Sequence, residues 1–301
     1  MSDAAAPATT RKAKRGSAIA VVVATLVGLA IAVAGSQGGA TFSGIPVLLL
    51  VAALAFVIQW VAFVPAYLHQ TERFFDITGS VTFISVTAVA VLLSPAPDER
   101  SFVLLAAVSI WAIRLGSYLV RRIHAAGKDD RFDAIKPDGL RFLSVWTIQA
   151  LWVTLTAGAA LAAITSATRA PLDLVSIIGI ATWVIGIAIE AVADMQKSRF
   201  RANPANRGTF IRSGLWAWSR HPNYFGEIVL WAGLALVAIP VLAGWQYVTL
   251  ISPLFVALLL TKVSGIPMLE AKADAKWGGQ ADYEAYKDGT SVLVPLPPRK
   301  G

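Results

Sequence analysis

The sequence predicts an all-α polytopic membrane helical bundle of about eight transmembrane helices, with seven as the alternative count. Three observations predict it. Of the 301 residues, 56% are hydrophobic and only 15% are charged, a composition outside the usual range of soluble domains. Apolar stretches long enough to cross a bilayer follow one another along the chain. Basic residues concentrate in alternate connections between these stretches, as they do in membrane proteins with a fixed orientation.

Each apolar stretch approaches the roughly 20 residues that a membrane-spanning helix needs. The predicted spans cover residues 17–35, 46–68, 77–95, 101–120, 142–166, 172–193, 224–240 and 243–263. The seventh is short and the fourth contains Arg114, so a count of seven stays open. Residues 1–16 form an Ala-rich basic tail whose composition predicts disorder. Residues 17–301 are predicted to form a single membrane domain.

Lys and Arg are distributed unevenly between the two sides of the predicted bundle. The amino-terminal tail, the even-numbered connections and the carboxy-terminal tail contain 22 of them, whereas the odd-numbered connections contain only Arg100 and Arg169. Short cytoplasmic loops carry such an excess, so both termini are predicted to be cytoplasmic, in what we expect to be a bacterial plasma membrane.

The distribution of Lys and Arg also bears on which partners are predicted for the protein. It explains the net charge of +8 through topology and contacts with membrane lipids, so nucleic acid is not a predicted partner. Since the chain has no Cys and only three His, no metal site is predicted.

Polar residues concentrate between positions 190 and 286. Glu190, Asp194 and Lys197 recur at intervals of three and four residues and therefore share one helix face. Between Asp194 and Glu227 the chain has six basic residues and no acidic one. This stretch predicts a cradle for an anion such as phosphate, although contacts with lipid headgroups would explain the charges as well.

The run SRHPNYFGE at positions 219–227 carries the densest set of polar side chains. Pro222 stops the preceding segment, and Asn223 is well placed to start the next helix. Glu227 lies one turn later on the same face as Asn223, where a carboxylate can accept a hydrogen bond from an amide. The alternative is an ordinary helix cap flanked by interfacial aromatic residues.

This run, the helix with acidic residues before it and the tail KWGGQADYEAYKDGTSVLVP resemble the steroid 5-alpha-reductase family, its uncharacterised bacterial relatives and the sterol C14-reductases. The resemblance covers about 111–298, which is then the cofactor-binding half. It implies an NADPH-dependent membrane reductase that transfers hydride to a conjugated carbon–carbon double bond of a lipid or steroid-like enone. The cofactor site would face the cytoplasm.

The resemblance also implies roles for individual residues. Asp194 and Arg201 match positions that contact the dinucleotide, and Asn223 and Glu227 match the pair that holds the nicotinamide carboxamide. The full set of cofactor-binding candidates is Arg114, Glu190, Asp194, Arg201, Arg220, His221, Asn223, Tyr224, Glu227, Tyr283 and Tyr286.

The chain departs from the steroid-reducing pattern at the substrate. Trp111 occupies the position of the Tyr that binds the substrate carbonyl, and the second span contains no Glu. Because hydride addition needs a group that stabilises the developing enolate, Asp76 and Tyr118 become the catalytic candidates. Asp76 could instead cap a helix.

Two other classes of function remain open. Membrane methyltransferases of the isoprenylcysteine and phospholipid type share a similar Arg-His-Pro-x-Tyr motif, which there binds S-adenosylmethionine, and Glu270 could serve as their later acid. Glu227, directly after Gly226, favours the reductases. A non-enzymatic transporter or scaffold is the third class, but the repeat symmetry typical of transporters is not evident.

Overall fold

The computed structural model describes residues 5–126, 129 and 132–298, and this part of the chain is almost entirely helical. The helices are α1 (Ala5–Gly35), α2 (Val47–Leu68), α3 (Phe75–Leu93), α4 (Glu99–Ala126), α5 (Gly139–Thr156), α6 (Gly158–Thr165), α7 (Leu174–Ala202), α8 (Pro222–Ala238), α9 (Ile251–Leu258), α10 (Ile266–Trp277) and α11 (Ala281–Gly289). The described strands, β1 (Thr41–Phe42) and β2 (Ile45–Pro46), form a small antiparallel hairpin.

The predicted bundle is confirmed. Seven helical segments within the described residues are long and apolar enough to cross a membrane. The bent pair α5–α6, with an angle of 56° between its halves, counts as an eighth if it is one broken span. All eight predicted spans therefore have a counterpart in the structure.

The first helix differs from the sequence-based expectation at its amino-terminal end. Residues 5–16, predicted to be disordered, belong to α1 in the structure. Ala has the highest helix propensity, and Pro7 lies in the first turn, where proline is tolerated. Residues 1–4 lie outside the described part of the chain.

The chain divides into two compact units, Met1–Asp173 with Ala238–Ile251, and Leu174–Val237 with Ser252–Gly301. In the first unit, α1 and α2 pack against α5, and α3 packs against α4. Polar pairs join its helices at membrane depth: Gln59 donates to Thr82 Oγ1 at 2.8 Å, and Trp60 donates to Thr147 Oγ1 at 3.0 Å. The single domain predicted over 17–301 stays a prediction.

Four glycines bring α7 and α8 of the second unit into backbone contact. Gly179 and Gly186 lie seven residues apart on α7, and Gly226 and Gly233 lie seven apart on α8. A Cβ atom added at Gly233 would lie 2.5 Å from the Trp183 backbone nitrogen, and one at Gly179 would lie 2.7 Å from the Gly233 carbonyl oxygen. Such small-residue seams let membrane helices approach closely. The glycine seam therefore determines how closely α7 and α8 approach each other.

The connection between α4 and α5 is fixed to the first unit by a buried carboxylate. Glu72 accepts a hydrogen bond from Lys136 Nζ at 2.5 Å and one from the Asp129 backbone N–H at 3.0 Å. Burial opposes ionisation of Glu72, but these two hydrogen bonds outweigh it and hold the pKa of Glu72 below its ordinary value. The carboxylate therefore favours the folded state only when it is charged.

We expect Glu72→Gln to lower the free energy of unfolding by about 1–3 kcal/mol at pH 7, since it removes a charge-assisted bond to Lys136. Because the pKa of Glu72 is lower in the folded state, this contribution is present above its ordinary value of 4.5 and is lost as the pH falls through the folded-state value. Thermal unfolding of both proteins between pH 7 and pH 4 measures the difference. A stability difference between the two proteins that stays constant from pH 7 to pH 4 would contradict this role of the Glu72 carboxylate.

Candidate functional site

Four polar side chains of α7 and α8 lie near the Gly186–Gly226 end of the glycine seam. Asn223 Nδ2 donates to Asp194 Oδ1 at 3.3 Å. Glu190 lies one turn before Asp194 on α7, and a Cβ atom added at Gly226 would lie 2.7 Å from its backbone nitrogen. Glu227 follows Asn223 by four residues on α8. Because Glu190, Asp194 and Glu227 are all buried, the α7–α8 polar cluster (Glu190, Asp194, Asn223 and Glu227) concentrates carboxyl groups inside the unit.

The structure corrects the role of Asn223 at the helix start. α8 begins at Pro222, one residue earlier than the sequence indicates. Proline is favoured at the first helical position, since its fixed φ suits the helix and its missing N–H would be unpaired there. Asn223 therefore lies within the first turn, and its amide contacts Asp194.

Glu270 of α10 binds the two residues that precede Pro222. His221 Nε2 lies 2.8 Å from Glu270 Oε1, and Arg220 Nη2 lies 3.1 Å from Glu270 Oε2. The imidazole of His221 is buried and stacks on the ring of Tyr224 with an angle of 10° between the planes. Burial lowers the pKa of His221, and the bond to Glu270 offsets only part of this effect. His221 is therefore neutral near pH 7 and is fixed in orientation.

Arg220, His221 and Glu270 border a cavity of about 440 Å³, a volume typical of small-molecule sites. Glu270 is the one acidic residue among those that line it. The lining also contains six basic residues, Lys197, Arg201, Arg207, Arg220, Lys272 and Lys276, and six aromatic ones, Phe200, Phe210, Trp216, Trp277, Tyr283 and Tyr286. Such a lining suits an anionic ligand that also carries a flat ring.

The aromatic wall of the cavity is held by hydrogen bonds within the unit. Tyr283 donates to Asp274 Oδ1 at 2.8 Å, Tyr286 donates to the Trp216 carbonyl at 2.7 Å, and Trp277 donates to the Gly208 carbonyl at 2.6 Å. Burial raises the pKa of Tyr283 and Tyr286, so both phenols stay neutral. With their hydroxyl groups engaged, these tyrosines offer a ligand their rings.

The predicted site residues of the second unit fall into two groups. Five line the cavity: Arg201, Arg220, His221, Tyr283 and Tyr286. Four form the α7–α8 polar cluster, and Tyr224 stacks on His221. The run 219–227 supplies members of both groups, so it connects them. Two residues outside the cofactor-binding candidates contact them: Glu270 binds Arg220 and His221, and Phe210 packs against Tyr283 and Tyr286. The sequence indicates Glu270 only as an acid of the methyltransferase alternative, and it has no signal for Phe210.

The remaining candidates belong to the first unit. Asp76 lies in the first turn of α3, where an acid is favourable, and its carboxylate is 3.6 Å from Arg122. Arg114 and Tyr118 lie one turn apart on α4, both half-buried. Trp111 is buried and packs edge-on against Phe83, with 4.9 Å between ring centroids. Catalytic roles for Asp76 and Tyr118 stay predictions.

The helical bundle and the motif at its second unit define the class: a steroid 5-alpha-reductase-like integral membrane protein. Residues 62–290 match the family described as "Protein of unknown function (DUF1295)", so the chain belongs to that family.

Two curated relatives are similar to parts of the chain. It is 31% identical over 120 residues to 3-oxo-5-alpha-steroid 4-dehydrogenase 1 of Rattus norvegicus, which covers 39% of this chain and 40% of that protein. It is 33% identical over 60 residues to the Probable O-methyltransferase ustE of Ustilaginoidea virens, which covers 20% of this chain and 21% of that protein. The chain thus spans less than half the length of the relatives it matches. No solved structure matches it.

Proposed function

We propose that the protein is an NADPH-dependent membrane reductase that transfers hydride to a conjugated carbon–carbon double bond of a lipid or steroid-like enone. The observation that carries the proposal is the continuity of a basic, aromatic cavity with a buried amide–carboxylate cluster through one nine-residue run, 219–227. A dinucleotide needs both kinds of environment, cations for its phosphates and a hydrogen-bonding pocket for its carboxamide. The partial match to a steroid dehydrogenase supports the reaction class.

The residues of the second unit fit such a cofactor by their chemistry. Arg201 and the other cavity cations would bind its phosphates, because Arg and Lys are the usual phosphate ligands. Asn223 and Glu227 would hold the carboxamide, since an amide both donates and accepts hydrogen bonds. When bound, the nicotinamide supplies the hydride, and the protein supplies binding and orientation.

On the substrate side, the proposal keeps the two catalytic candidates, Tyr118 and Asp76. Hydride addition to an enone places negative charge on its carbonyl oxygen, which needs a hydrogen-bond donor. Tyr118 carries a phenolic donor on α4, and Asp76 is the acidic alternative on α3. An apolar bundle suits a lipid substrate that enters from the bilayer. The distribution of Lys and Arg supports an orientation with both termini and the cofactor site on the cytoplasmic side, and the proposed location is a bacterial plasma membrane.

A membrane methyltransferase is the second candidate, and one contact favours it. Arg220 and His221 of the Arg-His-Pro-x-Tyr motif both bind Glu270, the acid expected in that class, and a short segment resembles a probable O-methyltransferase. The six cations that line the cavity favour the reductase, because S-adenosylmethionine has no phosphate and is itself a cation.

Binding of NADPH and of S-adenosylmethionine to the detergent-purified protein, measured side by side by calorimetry, tests the proposal. We expect binding of NADPH, competed by NADH at higher concentration. Binding of S-adenosylmethionine alone would establish the methyltransferase instead. If neither ligand binds to a protein that is folded by thermal unfolding, a transporter or scaffold becomes the hypothesis to pursue.

Arg201→Ala should weaken NADPH binding by about tenfold while it weakens NADH binding much less, if Arg201 binds the additional phosphate through a charge-assisted hydrogen bond. Arg199→Ala is the matched control, because Arg199 belongs to the same last turn of α7 but does not line the cavity. Both dissociation constants are measured at one ionic strength, since phosphate contacts depend on salt. An equal loss of affinity for NADPH and NADH would show that Arg201 does not bind the additional phosphate.

A further inference from the structure

Residues 291–296, here called the C-terminal strap, follow α11 as a segment that bends at 292–294 and has two different faces. Ser291, Leu293 and Pro295 are half-buried. The alternate side chains are all apolar and exposed: Val292 by 41%, Val294 by 50% and Leu296 by 54%. Half-buried and exposed side chains thus alternate along the six residues. Here, however, the outer face is the more apolar one.

The inner face of the strap is fixed to the segment that precedes α8. The Arg220 backbone N–H donates to the Ser291 carbonyl at 2.8 Å, and the Leu296 N–H donates to the Trp218 carbonyl at 3.0 Å. The Ser219 hydroxyl donates to the Leu293 carbonyl at 2.8 Å. With three hydrogen bonds over six residues, the strap cannot rotate, so its apolar outer face must point away from residues 218–220.

The surroundings of the strap indicate what covers this face. α8 is a membrane-spanning candidate that begins at Pro222, two residues after Arg220. The strap is therefore bonded to the chain at the end of a span, at the level of the membrane interface. Trp218, which shares this location, is 47% exposed, and exposed Trp residues are enriched at that level. An exposed apolar face at the end of a membrane-spanning helix suits the membrane interface.

We propose that the C-terminal strap is an interfacial membrane contact, with Val292, Val294, Leu296 and Trp218 inserted at the boundary between headgroups and acyl chains. Burial of apolar side chains in this zone is favourable, whereas exposure of the same four side chains to water is not. The inference goes beyond the proposed reaction and does not depend on which cofactor binds.

The contact also has a positioning role. The strap holds the hydroxyl group of Ser219 and the backbone N–H of Arg220, and the next residue, His221, is one of the two bound by Glu270. The geometry of the motif that borders the cavity therefore depends on a segment whose outer face lies in lipid. The strap acts on the site through these hydrogen bonds without contributing a side chain to the cavity lining.

The absence of Cys from the chain allows a direct test by site-directed spin labelling in nanodiscs of phosphatidylcholine and phosphatidylglycerol. Val292→Cys, Val294→Cys and Leu296→Cys are labelled one at a time, and the accessibility of each label to oxygen and to a water-soluble nickel chelate is measured. Ile185→Cys on the exposed face of α7 is the lipid control, and Asp288→Cys, at an exposed position of α11, is the aqueous control. Leu293→Cys reports the inner face.

We expect the three outer positions to give oxygen-to-nickel accessibility ratios above that of Asp288→Cys and approaching that of Ile185→Cys. Leu293→Cys should be inaccessible to both reagents. Outer positions that match the aqueous control would overturn the inference, as would loss of the two-residue alternation. Because the three substitutions lie on an exposed face, we expect the variants to fold, which thermal unfolding verifies before labelling.

Discussion

Asn223→Ala and Glu227→Gln are each expected to weaken NADPH binding by roughly 10- to 150-fold, which corresponds to about 1.5–3 kcal/mol for the loss of a hydrogen bond that involves a buried charged group. Asn223 contacts Asp194 at 3.3 Å, and Glu227 is buried one turn further along the same face of α8. A carboxamide bound there would lose either its amide partner or its charged acceptor. Calorimetric titration of each purified variant with NADPH measures the effect.

Asn223→Asp sharpens this test. It replaces a donor to Asp194 by a second carboxylate in a buried environment, where like charges repel strongly. We expect it to weaken NADPH binding more than Asn223→Ala, and to lower the thermal stability as well. Unchanged affinity in both Asn223→Ala and Glu227→Gln, in proteins that unfold like the wild type, would move the carboxamide site away from the α7–α8 polar cluster.

Gly233→Ala is expected to lower the free energy of unfolding by about 1–3 kcal/mol or more, as overpacking does. The added Cβ would lie 2.5 Å from the Trp183 backbone nitrogen and 2.6 Å from the Gly179 carbonyl oxygen. Because both contacts are backbone atoms, no side chain can turn aside, and α7 and α8 must separate. Thermal or denaturant unfolding in detergent measures the loss. Separation would also displace Glu190 from the first turns of α8.

The control for the glycine seam is Gly16→Ala on α1, where an added Cβ meets no atom within 4 Å. Alanine is favoured over glycine within a helix by about 1 kcal/mol, so this substitution should leave the stability unchanged or raise it. If Gly233→Ala behaved like Gly16→Ala, close backbone contact between α7 and α8 would be wrong.

The membrane-spanning helices could be predicted because their signal is local. Apolar length and the positions of Lys and Arg mark each span without knowledge of its neighbours. The break between α5 and α6 at Ala157 has no such signal, since the residues on both sides are small or apolar. It depends on packing, with Gly158 against Thr249 of the same unit. Residues 5–16, for which the sequence predicts disorder, belong to α1 in the structure, and their Ala content favours a helix.

From the sequence, the helix faces that carry the candidate site residues could be predicted, but the contacts between those residues could not. Helical spacing places Glu190 with Asp194, and Asn223 with Glu227, on common faces. The hydrogen bond between Asn223 and Asp194 depends on how α7 meets α8, and the seven-residue spacing of glycines on both helices is the sequence signal for that approach. Glu270 lies 49 residues from His221, and no local pattern connects them.

The bonds of the C-terminal strap also constrain when the site can form during synthesis. Ser219 and its acceptor Leu293 are separated by 74 residues. At the roughly 5–20 residues per second of translation, the ribosome needs about 4–15 s to bridge that interval. During this time α7 and α8 have been made, but the strap that fixes Arg220 has not. Membrane insertion of these helices can thus precede completion of the proposed cofactor site, so a nascent chain would reach the bilayer before that site is complete.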